Sequence, residues 1–287
     1  MIDLNNIKHK RIFCFGCSFT FGYGTWADIL KRHFGDYPKE DFYIPKDQPQ
    51  MIYNFSMPGM GNYYIFNTII EKGLQHEFTK DDLILIEWSG TDREDRFKDG
   101  KWHMGMQGHN DKAIIRDWFL DIEGMIKRDY SYIHTVQKML KRDNIDYEMF
   151  SMNGVSRHNP VRAETVYGLA PKESEEIDFL VELYKDTLDE LHPSMFKIIW
   201  GDETGYPNHR LVRGQKRRNP HPTPVEHLDY LEKVFNFKPS DELRTHTEII
   251  SKNFDTIDYH SMFNNLHSEL DHQEFFMKLK SKYYDNT

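Results

Sequence analysis

Arg11 to Gly24 reads RIFCFGCSFTFGYG, an apolar run that breaks into glycines with Cys17, Ser18 and Thr20 at the break. The run RIFCF has no polar alternation, which suits a strand buried on both faces of a parallel sheet. Small residues after it let the chain turn tightly, and Trp26 to Phe34 (WADILKRHF) then spaces Trp26, Ile29 and Leu30 as a helix does. Strand, glycine turn and helix in this order predict the first unit of a parallel α/β sheet.

The same order recurs downstream. Ile52 to Phe55 predicts a short strand that ends in SMPGMGN, and Tyr63 to Leu74 carries apolar residues at helical intervals. Leu83 to Trp88 (LILIEW) is the strongest strand signal and runs into SGTD; Ser131 to Arg142 predicts a helix and Asp146 to Met152 a fourth strand. Four strands separated by helical segments predict an α/β fold: three layers, α/β/α, around a flavodoxin-like, mostly parallel sheet. Lys98 to Asn110, rich in Gly, Met, His and Trp, reads as a long surface loop. Glu173 to Leu191 has a helical pattern, Gly201 to Pro224 an irregular one, and a helix with proline at its entry runs through Val225 to Phe235. These boundaries predict a main domain over 1–238 and a helical C-terminal extension over 239–287.

The 287 residues are 38% apolar and 14% aromatic, enough bulky side chain for a core despite a mean hydropathy of -0.74. A net charge of -9 argues against general affinity for nucleic acid or anionic membrane. The chain lacks a signal-peptide pattern and any stretch near the roughly 20 apolar residues of a spanning helix, so a cytosolic location is expected. With two cysteines in the whole chain, a disulfide framework is not expected.

In open α/β sheets ligands sit beyond the carboxyl ends of the strands, which here end in Gly16–Thr20, Asn54–Asn62 and Ser89–Asp92. A serine in such a turn has backbone N–H groups nearby for a developing oxyanion, and it needs a base. His221, stiffened by prolines in NPHPTPVEH ahead of a helix, is the strongest candidate.

GCSFT, NFSMPGMGN, WSGTDRED and a late His-Pro before a helix, in that order, resemble the SGNH or GDSL-type hydrolase superfamily, in particular GCSFT-type members of phage genomes. The resemblance spans roughly residues 10 to 235. It implies ester hydrolysis through an acyl-enzyme, without metal or organic cofactor. Ser18 falls on the nucleophile and on one oxyanion donor, Gly59 on the second donor, and His221 on the general base. The family's third segment usually reads Gly-x-Asn-Asp, the Asn being a third donor; here Gly90-Thr91 precede Asp92 and Arg93, so Thr91, Arg93 or a protonated Asp92 has to substitute, or two backbone donors suffice. Where the family commonly carries an Asp two or three residues before the histidine stand Asn219 and Arg218; Asn219, or Asp202 folding back, would orient the ring.

The expected substrate is a small-molecule or carbohydrate ester, an O-acetylated sugar ahead of a lipid, with Tyr23, Trp88 and Trp102 either as sugar-stacking or acyl-contact surfaces or as core and loop anchors. The C-terminal helices would be a packing extension of the main domain, or would supply contacts between copies or within an assembly. A second reading makes the chain a catalytically degenerate member of the family, a binding or structural component of a virion, in which Asp92 and Asn219 mark lost catalysis.

Other readings of the same residues are blander. Ser18 alone would serve as a helix cap. Cys14 and Cys17 form C-x-x-C, but Cys14 lies within an apolar strand, where a free thiol is a core residue. His103, His109 and Asp111 match no ligand spacing, and 216–218 is a solvated basic run.

Overall fold

A computed structural model of the chain describes residues 2–22, 24–34, 52–91, 93–106, 122–155, 175–201 and 221–253. β1 (Arg11–Phe15) takes the position its lack of polar alternation predicts, at the sheet's interior between β2 (Ile52–Asn54) and β3 (Asp82–Trp88). β6 (Asp146–Ser151) flanks β3, and the order β2-β1-β3-β6 is parallel throughout, with Phe13 opposite Tyr53 on one side and Ile84 on the other.

Alternation along the strands divides the core between the two faces. Ile12, Cys14, Leu83, Leu85 and Phe150 pack with Trp26, Ile29 and Leu30 of α1 (Trp26–Phe34) and Leu228 and Leu231 of α7 (Pro224–Phe235). Phe13, Phe15, Ile84, Ile86 and Trp88 pack with Ile65 and Ile69 of α2 (Asn62–His76) and Ile126, Ile133 and Val136 of α3 (Ile122–Arg142). The result is the expected three-layer α/β/α architecture, because strands apolar on both faces need a cover on each. Trp88 is fully buried in the second of these layers, so it is core and not a stacking surface.

The described part of the stretch read as a loop, 98–106, belongs to an antiparallel hairpin, and 107–110 lie outside the described residues. β4 (Arg93–Lys98) pairs with β5 (Lys101–Met106) as a separate sheet, turning at Asp99 and Gly100, whose φ values of 52° and 74° are left-handed. Asp-Gly at a two-residue turn with positive φ is the expected hairpin chemistry. α4 (Glu175–Leu183) and α5 (Lys185–Asp189) fill the acidic helical stretch, and the apolar run at Phe196 is part of helix α6 (Met195–Trp200).

α8 (Asp241–Asn253) lies against α7 and α1, with Leu243, Thr247 and Ile250 buried. Ser251 on it accepts the Val225 N–H at 2.9 Å, one of the orphan donors at the start of α7. Among the described residues no helix is long and apolar enough to cross a membrane.

Candidate active site

Chain order and spatial order part company between β1 and β3: β2 lies on one side of β1, β3 and β6 on the other. This is the switch point at which open α/β sheets leave a crevice beyond their carboxyl ends. The three segments singled out from the sequence leave the sheet here.

Cys17 to Phe21 form a tight turn in which the Cys17 carbonyl accepts the N–H groups of Thr20 (3.1 Å) and Phe21 (2.9 Å). Ser18 is the second residue of this turn and is 8% exposed. It does not cap α1; that position belongs to Thr25, whose Oγ1 accepts the Asp28 N–H at 3.5 Å. Ser18 Oγ stands 2.8 Å from His221 Nε2. With the ring protonated on Nδ1, the hydroxyl donates to Nε2, the arrangement in which a serine hands over its proton.

Local sequence explains where His221 sits. Thr223 accepts the Glu226 N–H at 3.3 Å while Glu226 Oε2 accepts the Thr223 N–H at 2.7 Å, and Pro224 opens α7. This capping box fixes the chain two residues after the histidine. Phe19, fully buried, packs under the imidazole with ring centroids 5.1 Å apart. Gly24, at φ 76°, brings the Ser18 side against the His221 side: a Cβ there would lie 2.5 Å from Pro224 Cγ.

Gly59, at φ 77°, lies in the turn after β2, where only glycine takes such a conformation without strain. The Met57 N–H donates to Gly16 O at 3.2 Å, so this turn docks beside the one carrying Ser18. Asn54 secures the same junction: its Nδ2 donates to Thr20 O (2.8 Å), and its Oδ1 accepts from Ser56 N (3.1 Å) and Oγ (2.6 Å). Asn62 then ties α2 to the end of β3, with its Oδ1 accepting the Ser89 N–H (2.8 Å) and its Nδ2 donating to Ser89 O (3.1 Å) and Asp129 Oδ2 (2.7 Å). Burial pushes the Asp129 carboxyl up to about 6, against the pull of Arg128.

Beneath the Ser18 turn lies a buried acid that the sequence reading passed over. Glu87, near the end of β3, is fully buried. Its Oε2 accepts the Thr20 hydroxyl at 2.7 Å and the Cys17 N–H at 3.2 Å. Desolvation pushes it up to about 7, while those hydrogen bonds and the nearby Arg93 pull the other way. The signal was present in LILIEW: a carboxylate in a strand covered on both faces needs partners.

Arg93, the first residue of β4 and 6% exposed, donates from Nη1 to Met60 O at 2.9 Å and approaches Met152 Sδ with Nη2 at 3.9 Å. Asp95, two residues on, accepts the N–H groups of Gly61 (2.8 Å) and Tyr64 (3.0 Å) at the start of α2, while burial raises its pKa. Gly61 lies so close to the hairpin that a Cβ would fall 2.6 Å from Arg93 Cβ.

Cys17, next to Ser18, is buried, and its thiol is pushed up to about 11 by desolvation with Glu87 adding to the rise. That is the opposite of an activated thiolate. Cys14 is buried in β1. Thr91 is buried at the end of the third segment. Asp92, Asp202 and Asn219 lie outside the described residues, as do Tyr23, His109, Asp111 and 216–218. His103 is exposed on β5, and Trp102 is half-buried among the rings of Tyr63, Tyr64 and Phe97.

No protein-family model matches the chain, and no curated protein matches it. Among solved structures, a psychrotrophic esterase, EstA from Pseudoalteromonas sp., in a structure inhibited by monoethylphosphonate, is similar over 78% of this chain and 95% of its own. The identity is 13% and the TM-score 0.38.

Proposed function

We propose that the chain is a serine ester hydrolase that works through an acyl-enzyme on Ser18. The observation that carries this reading is the 2.8 Å approach of Ser18 Oγ to His221 Nε2 beyond the switch point of the sheet. Ser18 Oγ attacks the ester carbonyl carbon as its proton passes to His221 Nε2, and the carbonyl oxygen becomes an oxyanion facing the Ser18 and Gly59 N–H groups. His221 then protonates the leaving alkoxide as the carbon–oxygen bond breaks, leaving the acyl group on Ser18. Water attacks that acyl-enzyme with His221 again taking the proton, and the acid departs as Ser18 regains its hydrogen.

In this scheme Asn219 or Asp202 is the proposed orienter of the ring, and Thr91 or Asp92 is proposed as a further oxyanion group. The likeness of the ordered motifs to SGNH hydrolases supports the same assignment. No metal or organic cofactor enters the scheme. The substrate proposed is a short acyl ester, an O-acetylated carbohydrate before a lipid. Contacts between copies through the C-terminal helices are proposed with it.

The test is labelling with a fluorophosphonate, with the modified residue located by mass spectrometry, alongside hydrolysis of p-nitrophenyl acetate. The adduct is expected on Ser18 and absent from Ser18→Ala, and His221→Ala should lower turnover by about 10⁴-fold or more. An unlabelled Ser18, with wild type and Ser18→Ala hydrolysing equally slowly, favours the second reading, a non-catalytic binding or structural domain. The departures at Asp92 and Asn219 from the family's pattern would then mark the loss.

A further inference from the structure

The two backbone donors assigned above lie in two separate turns, and each turn is held from beneath by one buried ionisable side chain, Glu87 near the end of β3 or Arg93 at the start of β4. Glu87 takes the turn of Ser18 through the Cys17 N–H and the Thr20 hydroxyl. Arg93 takes the turn of Gly59 through the carbonyl of Met60, the next residue. We propose that Glu87 and Arg93 are positioning residues, which set the spacing of the Ser18 and Gly59 N–H groups and so make a two-donor oxyanion site effective in a chain whose third segment lacks the usual asparagine. This rests on the hydrolase reading.

Three observations support it. First, the fit around Glu87 is tight: a Cβ on Gly16 would lie 2.6 Å from Glu87 Oε2 and 2.1 Å from Thr20 Oγ1, so the turn has no room to settle elsewhere. Second, the grip is shared. Thr20 Oγ1 also receives the Trp26 indole N–H at 3.1 Å, which connects the turn to α1 as well as to the sheet. Third, the two side chains meet around the same neighbours: the Arg93 guanidinium pulls down the pKa of both Glu87 and Cys17, and Met152 Sδ lies 4.0 Å from Cys17 Sγ and 3.9 Å from Arg93 Nη2.

Burying a carboxylate and a guanidinium is costly and is a poor route to stability alone. Glu87 and Arg93 are each hydrogen-bonded instead to a turn that carries a donor. Donors of an oxyanion site act only when they meet the position the oxygen will occupy, and a displacement of about 1 Å can cost about 10²-fold in rate.

The experiment measures inactivation by a fluorophosphonate, resolved into the reversible affinity and the rate of covalent reaction at Ser18, with circular dichroism and amide exchange on each variant. Glu87→Met and Arg93→Met should slow the covalent step by about 10²-fold with the reversible affinity held. Glu87→Gln keeps an acceptor for Cys17 N–H and Thr20 and should recover to within about 5-fold of wild type. Amide exchange should quicken at 16–21 in Glu87→Met and at 57–61 in Arg93→Met. If Glu87→Met does not fold, Thr20→Val removes one arm of the grip and must slow the covalent step by about 10-fold.

Folded Met variants that react at the wild-type rate overturn the proposal, and so does Glu87→Gln falling as far as Glu87→Met. A wild-type Ser18 that takes no label is a different failure: it sinks the hydrolase reading. The exchange pattern then still reports on the two turns, and unchanged exchange in the Met variants overturns their positioning.

Discussion

Gly16 sits where β1 hands over to the turn of Ser18, and its missing side chain is what lets Thr20 and Glu87 meet behind it. An added methyl at 2.1 Å from Thr20 Oγ1 forces either the turn or the carboxylate to move. Overpacking of this kind in a filled core costs about 1–3 kcal/mol. Gly16→Ala is therefore expected to lower the midpoint of urea unfolding and to slow labelling of Ser18 by more than about 10-fold, because the shift falls on the reacting group itself. Equal labelling of Gly16→Ala and wild type would mean that the turn tolerates displacement. At this scale the pairing of Ser18 with His221 was legible, because a serine in a glycine turn and a histidine held between prolines stand out in the sequence, and the structure brings them to 2.8 Å. Glu87 and Asn62 stayed hidden because their roles rest on contacts with Thr20, Cys17 and Ser89, separated from them along the chain.

The helix that follows His221 shows how an element transmits position. Thr223 and Glu226 exchange hydrogen bonds across the first turn of α7, and Trp200 on α6 donates its indole N–H to Glu226 Oε1 at 3.2 Å, so the cap is tied to a second helix. Replacing an N-cap threonine by alanine costs about 1 kcal/mol. Thr223→Ala should thus leave the protein folded with a modestly lower unfolding midpoint, and lower turnover by a few-fold through a looser His221. A turnover loss with no change in the midpoint would separate the cap from the stability of α7. Elements announced by strong local signals were legible before the structure: RIFCF as a buried strand, and Thr223-Pro224 as a helix start. The β4–β5 hairpin was not, because REDRFK and KWHMGM lack the apolar run that marks a sheet strand. Its two strands pair with each other and stay outside the main sheet, and Asp99-Gly100 was the one local signal for the turn.

Over the whole molecule, buried ionisable groups tie stability to pH in two opposing senses. Glu87 rises from an ordinary 4.5 to about 7, so the folded chain keeps a proton that the unfolded chain has already released. Stability from this site consequently falls as pH rises between those values and levels off above them. His227, buried on α7 and beside Phe19, is pushed by desolvation from an ordinary 6.5 down to about 3. There the unfolded chain takes the proton first, and stability falls as pH drops below 6.5 toward 3. Glu87→Gln removes only the first effect. Its stability relative to wild type should grow by about 3 kcal/mol from pH 4.5 to above pH 7, read from urea unfolding at each pH. A difference that stays flat with pH would mean that Glu87 is ionised throughout.

The chain's two thiols carry one more consequence. Cys14 lies in β1, an interior strand of the sheet, and Cys17 in the turn of Ser18, both without exposed surface. A reagent that alkylates cysteine can reach neither in the closed protein, so loss of activity on such treatment would report how often the molecule opens. Modification at Cys17 alone would time the loosening of one turn, whereas modification at Cys14 would time the separation of the sheet from its helices. Two atoms that take no part in the proposed chemistry thus serve as separate clocks, one local and one global, built into the same fourteen residues from Arg11 to Gly24.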